Sequence, residues 1–204
     1  MKKATVGIIG GGPAGLSAAY YLALKGHKVT IADAMPQMGG MLRYGIPGYR
    51  LPKQILDREI SDIAELGVEF INNYRIGKDE TFAGFRARYD AVIIAIGAWT
   101  GTRIDCAGQE LRGVFGGIDF LREVNLGHRP DIGERVAVVG GGNTAMDACR
   151  TAIRLGAEDV RVIYRRTRSE MPAQDEEINE AAEEGVKFEF LSAPEEIIGR
   201  NGAV

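Results

Sequence analysis

Apolar residues fall in short runs separated by glycine-rich turns, and the order of these runs repeats along the chain. Val6 to Ile9 is an apolar run of strand length, followed by Gly10-Gly11-Gly12-Pro13-Ala14-Gly15 and then by Leu16 to Lys25, which predicts a helix. Gly26 closes that helix, and Lys28 to Asp33 predicts the next strand, so the segment is a βαβ unit. The same order returns with Arg135 to Val139 as strand, Gly140-Gly141-Gly142-Asn143-Thr144-Ala145, a helix through Leu155, Gly156, and Asp159 to Arg165 as strand. Such a duplication carries more weight than either copy alone, because each is a parallel-sheet building block with the same ligand logic. Between them Tyr89 to Ala98 predicts a buried parallel strand whose C-terminal end lies beside the first glycine loop. Leu126 to Gly133, with two glycines and Pro130, reads as a linker. The expected architecture is α/β with two Rossmann-like dinucleotide-binding units, divided into residues 1–130 and 131–204.

Composition narrows the class. Glycine accounts for 28 of 204 residues, about twice its usual share, while 45% hydrophobic residues supply enough apolar material for a packed core. The glycine therefore serves tight turns and close backbone approaches. With 25 basic against 28 acidic residues the net charge is -3, which leaves no electrostatic footprint for nucleic acid. No apolar run approaches the roughly 18 residues of a membrane span, and Met1-Lys2-Lys3 leads into a strand-like stretch, not a secretory signal. A soluble cytoplasmic protein is expected. Cys106 and Cys149 match no disulfide, metal or CxxC spacing, so inert thiols and no metal site are expected. His27 and His128 flank glycines at exposed turn-like positions, and Trp99 is expected to pack at a domain interface, with contact to a flavin as the other reading.

A lone GxGxxG is weak evidence, but Gly10, Gly12 and Gly15 follow a strand, open a helix and precede Asp33 at the end of the second strand, near the expected spacing of about 20 residues. In that setting Gly10 permits the tight turn, Gly12 admits a pyrophosphate to the backbone, and Gly15 lets helix and strand pack closely. The helix N-terminus favours the phosphates, and Asp33 can accept from a ribose 2'-hydroxyl. In the second unit Ala145 takes the last motif position, and Arg165 stands where the first has Asp33, followed by Arg166 and Arg168. Guanidinium groups bind a 2'-phosphate that a carboxylate would repel, so this site is expected to prefer NADPH to NADH. The competing reading of the arginines is a solvated basic face that balances the acidic helix Asp175 to Glu184.

These residues resemble the small (beta) subunit of NADPH-dependent glutamate synthase and its relatives, among them the flavin-NADPH portion of dihydropyrimidine dehydrogenase and the large subunit of NADH-dependent ferredoxin:NADP oxidoreductase. The resemblance is carried by Gly39 to Pro47, Tyr49 to Lys53, Gly140 to Asp147, Tyr164-Arg165-Arg166 and Glu170 to Ala173, within a match over about residues 4 to 198. It implies a two-nucleotide flavoprotein, with an FAD site in the first unit and an NADPH site in the second. Carried over by position, FAD contacts fall on Gly10 to Ala14, Asp33, Met41, Arg50 and Ile76, and NADPH contacts on Gly141 to Thr144, Arg165 and Arg166. Asp33 stands where the family more often has Glu, and Met41 where it has Leu. The resemblance further implies a C-terminal segment completing the FAD domain and a cysteine-rich iron-sulfur module, neither of them in this chain. The sequence is accordingly expected to be a piece of a longer protein.

The function so implied is hydride transfer between NADPH and FAD, with electrons passing on to Fe-S centres or a partner subunit. Such transfer needs stacking and orientation and no protein acid, so no catalytic residue is assigned. Two other readings stand beside it: a flavin disulfide reductase of thioredoxin-reductase type, against which the absent CxxC counts, and a non-catalytic nucleotide-binding module.

Overall fold

A computed structural model describes residues 3–204; Met1 and Lys2, part of the lysine-containing start, lie outside the described residues. The chain forms two compact units, one reaching to Ala98 and the other running Trp99–Val204.

The first unit contains β1 (Thr5–Ile9), α1 (Pro13–Leu24), β2 (Lys28–Ala32), α2 (Met41–Tyr44), α3 (Lys53–Glu65), β3 (Glu69–Ile71), α4 (Phe82–Ala87) and β4 (Ala91–Ile94). Its strands form one parallel sheet in the order β3-β2-β1-β4. Ile8 is paired with Ile31 on one side and Ile93 on the other. Val6 and Ile8 point to one face, where Leu16 and Ala19 of α1 complete a core with Val29, Ile31 and Met38. Gly7 points to the opposite face, and a Cβ there would lie 2.5 Å from the Tyr89 ring and 2.8 Å from that of Phe85. A glycine inside a strand usually weakens it, and here it admits two aromatic rings. The expected strand Tyr89 to Ala98 is shorter, Ala91–Ile94, because its partner β1 ends at Ile9, whose carbonyl still accepts from the Ala95 N–H at 2.8 Å.

The second unit contains α5 (Gly117–Asn125), β5 (Arg135–Val139), α6 (Asn143–Arg154), β6 (Asp159–Tyr164), a single 3-10 turn at Arg168–Glu170, α7 (Asp175–Glu183) and β7 (Lys187–Phe190). The sheet is parallel, in the order β5-β6-β7. Met146, Cys149 and Ala152 of α6 pack with Val160 and Val162 of β6 and with Ile178 and Ala181 of α7.

The division of the chain differs from the expected break near residue 130. α5 buries Phe120 and Leu121 against Ala148 of α6, with Val138 and Leu155 packed around them. Ala107 bridges to Glu196 and Arg112 to Ala203, which ties the stretch before α5 to the chain beyond β7. The glycine- and proline-containing stretch Leu126 to Gly133 is therefore a connection inside the second unit. Turn chemistry marks where a chain changes direction, whereas apolar burial decides which unit a helix joins.

Candidate nucleotide sites

In the first loop three glycines are distinguished by what surrounds them. Gly10 has φ +107°, and a Cβ on it would lie 2.3 Å from the Ala95 carbonyl oxygen, so the end of β4 sits against the loop as expected. A Cβ on Gly15 would come 2.0 Å from the Gly10 carbonyl oxygen. Both positions need glycine for the protein's own packing. Gly12 does not: its φ of -78° and ψ of -176° suit any residue, and the nearest atom to an added Cβ is the Gly40 Cα at 3.8 Å. Gly12 is the N-cap of α1, and no side chain caps the helix. Pro13 and Ala14 are exposed. The arrangement leaves first-turn N–H groups and the positive end of α1 open to an anion.

The loop is fastened from below by Asp33, which is buried. Its Oδ2 accepts from the Gly11 N–H at 2.5 Å and its Oδ1 from the Met35 N–H at 2.7 Å. A Cβ on Gly11 would meet the Met38 sulfur at 2.0 Å, and the Gly39 N–H donates to the Gly11 carbonyl at 2.7 Å. A Cβ on Gly40, with φ +51°, would lie 2.6 Å from the Gly12 Cα. The run 38–53 is thus a folded clamp on the loop, held by buried polar groups. Arg43 donates from Nε to the Met38 carbonyl at 2.6 Å and pairs with Asp57 at 2.5 Å. The Tyr44 hydroxyl accepts from the Gln37 N–H and donates to the Gln37 carbonyl, and burial raises its pKa. Lys53 Nζ donates to the Ile46 carbonyl at 2.6 Å and the Leu42 carbonyl at 3.0 Å.

Gly10 to Gly15, Asp33 and Met38 to Gly40 are therefore brought together. Met41 opens α2, and Arg50 is half-buried with its N–H donating to the Pro47 carbonyl. Ile76 is half-buried on the connection from β3 to α4 and bridges to Glu80; that connection begins at Asn73 and Tyr74, whose N–H groups bond the Met35 and Asp33 carbonyls. Sequence reasoning gave no role to Met38, Arg43, Tyr44 or Lys53. A cation or phenol set within an otherwise apolar, glycine-rich run was the available signal.

The second loop repeats the first: residues 141–146 show the same order of buried, half-buried and exposed positions as residues 11–16. Gly140 has φ +136°. Gly142 caps α6 with φ -92° and ψ 173°, has no side-chain cap, and would place a Cβ no closer than 3.9 Å to Pro172. Asn143 and Thr144 are exposed, as Pro13 and Ala14 are. The fastening differs. A Cβ on Gly141 would lie 2.7 Å from the Tyr164 ring, the Ala173 N–H donates to the Gly141 carbonyl at 3.1 Å, and Asn143 Oδ1 accepts from the Gln174 N–H at 3.1 Å.

Arg165 and Arg166 are exposed, and among the described residues neither guanidinium has a hydrogen-bond or ion-pair partner. The acidic α7 is balanced elsewhere. Arg150, buried on α6, pairs with Glu177 at 3.0 Å, Glu180 at 2.6 Å and Glu184 at 2.8 Å, and Arg154 also pairs with Glu184. These pairs hold the Glu184 carboxyl down to about 2, Arg154 contributing most. Among the described residues Arg165 and Arg166 pair with no carboxylate of α7, while Arg168 donates to Asn179 Oδ1 on that helix.

Cys149 is buried in α6, where burial pushes its thiol up to about 12, and Cys106 is half-buried; both are free. Among the described residues no helix is long and apolar enough to cross a membrane.

Comparison with known proteins agrees with this geometry. The family model for pyridine nucleotide-disulphide oxidoreductases matches residues 4–204. The chain is 50% identical over 202 residues to the beta subunit of NADP(+)-dependent formate dehydrogenase from Moorella thermoacetica, a match covering 98% of this chain and 29% of that protein. It is 40% identical over 207 residues to the glutamate synthase [NADPH] small chain of Azospirillum brasilense, covering 96% and 43% respectively. The chain thus spans less than half the length of either relative. Among solved structures, Mycobacterium tuberculosis FprA in complex with NADPH shares the fold with a TM-score of 0.83 at 20% identity, over 98% of this chain and 62% of that one. On the extent of the family match, with two glycine loops of one design in two α/β units, the chain belongs to the pyridine nucleotide-disulphide oxidoreductase family.

Proposed function

We propose that this chain supplies the FAD-binding and NADPH-binding cores of a flavin-dependent oxidoreductase of the glutamate synthase small-chain type, working with a partner subunit or Fe-S module in the cytoplasm. The observation that carries the reading is the contrast of charge at one position of two like-shaped loops. Asp33 is buried and tied to the loop it follows, whereas Arg165 and Arg166 stand exposed and, among the described residues, unpaired. The first arrangement suits a ribose hydroxyl and the second a 2'-phosphate. Gly12 and Asp33 would hold FAD, which when bound would supply hydride and one-electron redox chemistry.

The residues of the chain bind and orient. Gly12 and Gly142 present open backbone to a pyrophosphate, and the uncapped ends of α1 and α6 favour its charge. Asp33 has lone pairs left for a ribose hydroxyl after its two backbone bonds. Met41, Arg50 and Ile76 are assigned to the flavin nucleotide, and Asn143 and Thr144 to the nicotinamide nucleotide. Relatives named as subunits or small chains support a partner. The thiol-linked alternative finds no support at Cys149, whose thiol stays protonated in its buried site.

The test is anaerobic titration of the FAD-loaded protein with NADPH, and with NADH in parallel. Bleaching of the flavin absorbance by NADPH at lower concentration than NADH is expected. Flavin that stays oxidised under excess NADPH would leave a non-catalytic nucleotide-binding module as the better reading.

A further inference from the structure

Glu170 lies five residues beyond Arg165 and four beyond Arg166, on an exposed turn, and a carboxylate can compete with a phosphate for a guanidinium. Among the described residues it pairs with none. Its Oε2 is taken by Thr167, accepting from the Thr167 N–H at 3.1 Å and from the Thr167 hydroxyl at 2.9 Å. The two residues form a reciprocal capping box on the 3-10 turn Arg168–Glu170. Tyr164, whose ring covers Gly141, donates its hydroxyl to the Glu170 carbonyl at 2.8 Å and so holds the other side of the turn. Arg168 is drawn off to Asn179 Oδ1 at 2.6 Å, and the Arg166 carbonyl accepts from the Leu191 N–H at 3.2 Å. The Thr167 N–H, and next to it the Thr167 hydroxyl, lower the Glu170 pKa, and Arg166 contributes as well, so the carboxylate remains within electrostatic range of that guanidinium.

We propose that Thr167 is a specificity-determining residue of the second site: by holding the Glu170 carboxylate it keeps that anion off Arg165 and Arg166, leaving both guanidinium groups to a 2'-phosphate. This rests on the reading of the second unit as the NADPH site and adds to it a competing anion and the group that restrains it. Neither residue touches the nucleotide in this scheme. Thr167 acts through Glu170, and Glu170 acts only when released.

The test compares dissociation constants for NADPH and NADH, by calorimetric titration of the whole protein, in wild type, Thr167→Val, Thr167→Ser, Glu170→Gln and the double variant Thr167→Val/Glu170→Gln. Loss of the hydroxyl in Thr167→Val leaves only the Thr167 N–H on Glu170 and is expected to weaken NADPH by up to about fivefold, the upper end of what an exposed ion pair contributes, with NADH unchanged. Thr167→Ser keeps the hydroxyl and binds as wild type, and Glu170→Gln alone binds NADPH at least as tightly. The double variant recovers wild-type affinity for NADPH, since a neutral amide does not compete for the arginines. If the capping box merely shapes the turn, the double variant stays as weak as Thr167→Val, or NADH suffers equally, and the proposal is overturned. Equal affinity of the wild type for NADPH and NADH would instead overturn the reading of the second site itself, before any substitution is compared.

Discussion

Single atoms separate the glycines that shape the loops from those that face a ligand. A methyl group at Gly12 or Gly142 meets nothing closer than 3.8 Å, and neither residue has a left-handed φ. We therefore expect Gly12→Ala and Gly142→Ala to fold with less than about 1 kcal/mol lost, the order of a weakened helix cap. Each should bind its own nucleotide at least tenfold less well, because the methyl stands where pyrophosphate must approach. Gly15→Ala behaves oppositely: its methyl would press 2.0 Å from the Gly10 carbonyl oxygen, so a few kcal/mol of stability is lost. Thermal unfolding set beside nucleotide titration distinguishes the two classes, and equal destabilisation at Gly12 and Gly15 would refute the distinction. A second expectation concerns Cys149. With its thiol pushed up to about 12 and its side chain buried, it should resist alkylation in the native protein and react only on unfolding, as mass spectrometry of iodoacetamide-treated samples would show.

At the scale of elements, α6 and α7 are joined through charge. Glu184, just past the end of α7, accepts from both Arg150 and Arg154 of α6. Its folded-state pKa of about 2 lies below the ordinary 4.5. The pairing therefore contributes in full above about pH 4.5 and is lost as the pH falls through about 2. Glu184→Gln should cost about 1–2 kcal/mol at neutral pH, a charge-assisted bond discounted for a carboxylate partly open to water. The variant should also lose that part of the acid sensitivity; unfolding temperatures that fall equally steeply between pH 4.5 and 2 in both proteins would argue against it. Such pairs were not legible in the sequence, where α7 reads as an acidic run and the nearest arginines along the chain are Arg165, Arg166 and Arg168. The partners of the acidic run lie on α6, which comes earlier in the chain yet packs beside α7. The strands and helices of the two βαβ units were legible, because a glycine loop between an apolar run and a helix is a local signal. α1 begins at Pro13, earlier than the expected Leu16, because proline at the first helical position continues directly from the Gly12 cap. The clamp at 38–53 was recognisable only as a motif. Its physical content, a cation and a phenol bonded to loop carbonyls, depends on contacts that no periodicity reports.

For the molecule as a whole, the division into units is where local signals were least informative. Leu126 to Gly133 carries the turn residues of a linker, yet α5 before it shares a core with α6 after it, Leu121 being only 2% exposed. A piece starting at residue 131 would keep the sheet β5-β6-β7 and the first-turn donors of α6, but would uncover Ala148, Val138 and Leu155 and leave Glu196 and Ala203 without Ala107 and Arg112. Burial of Phe120 and Leu121 contributes roughly 1.5–3 kcal/mol for each side chain, comparable with much of the net stability of a domain this small. Residues 99–204 produced alone are therefore expected to unfold cooperatively, while residues 131–204 should show weak, broad melting and little protection of β5 from hydrogen exchange. Leu121→Ala in the whole protein gives an independent check: a loss of about 2–5 kcal/mol, confined to the unfolding of the second unit, with the amides of β1 and β2 exchanging as before. If residues 131–204 melt as sharply and at the same temperature as residues 99–204, α5 is an appendage of the second unit and not part of its core.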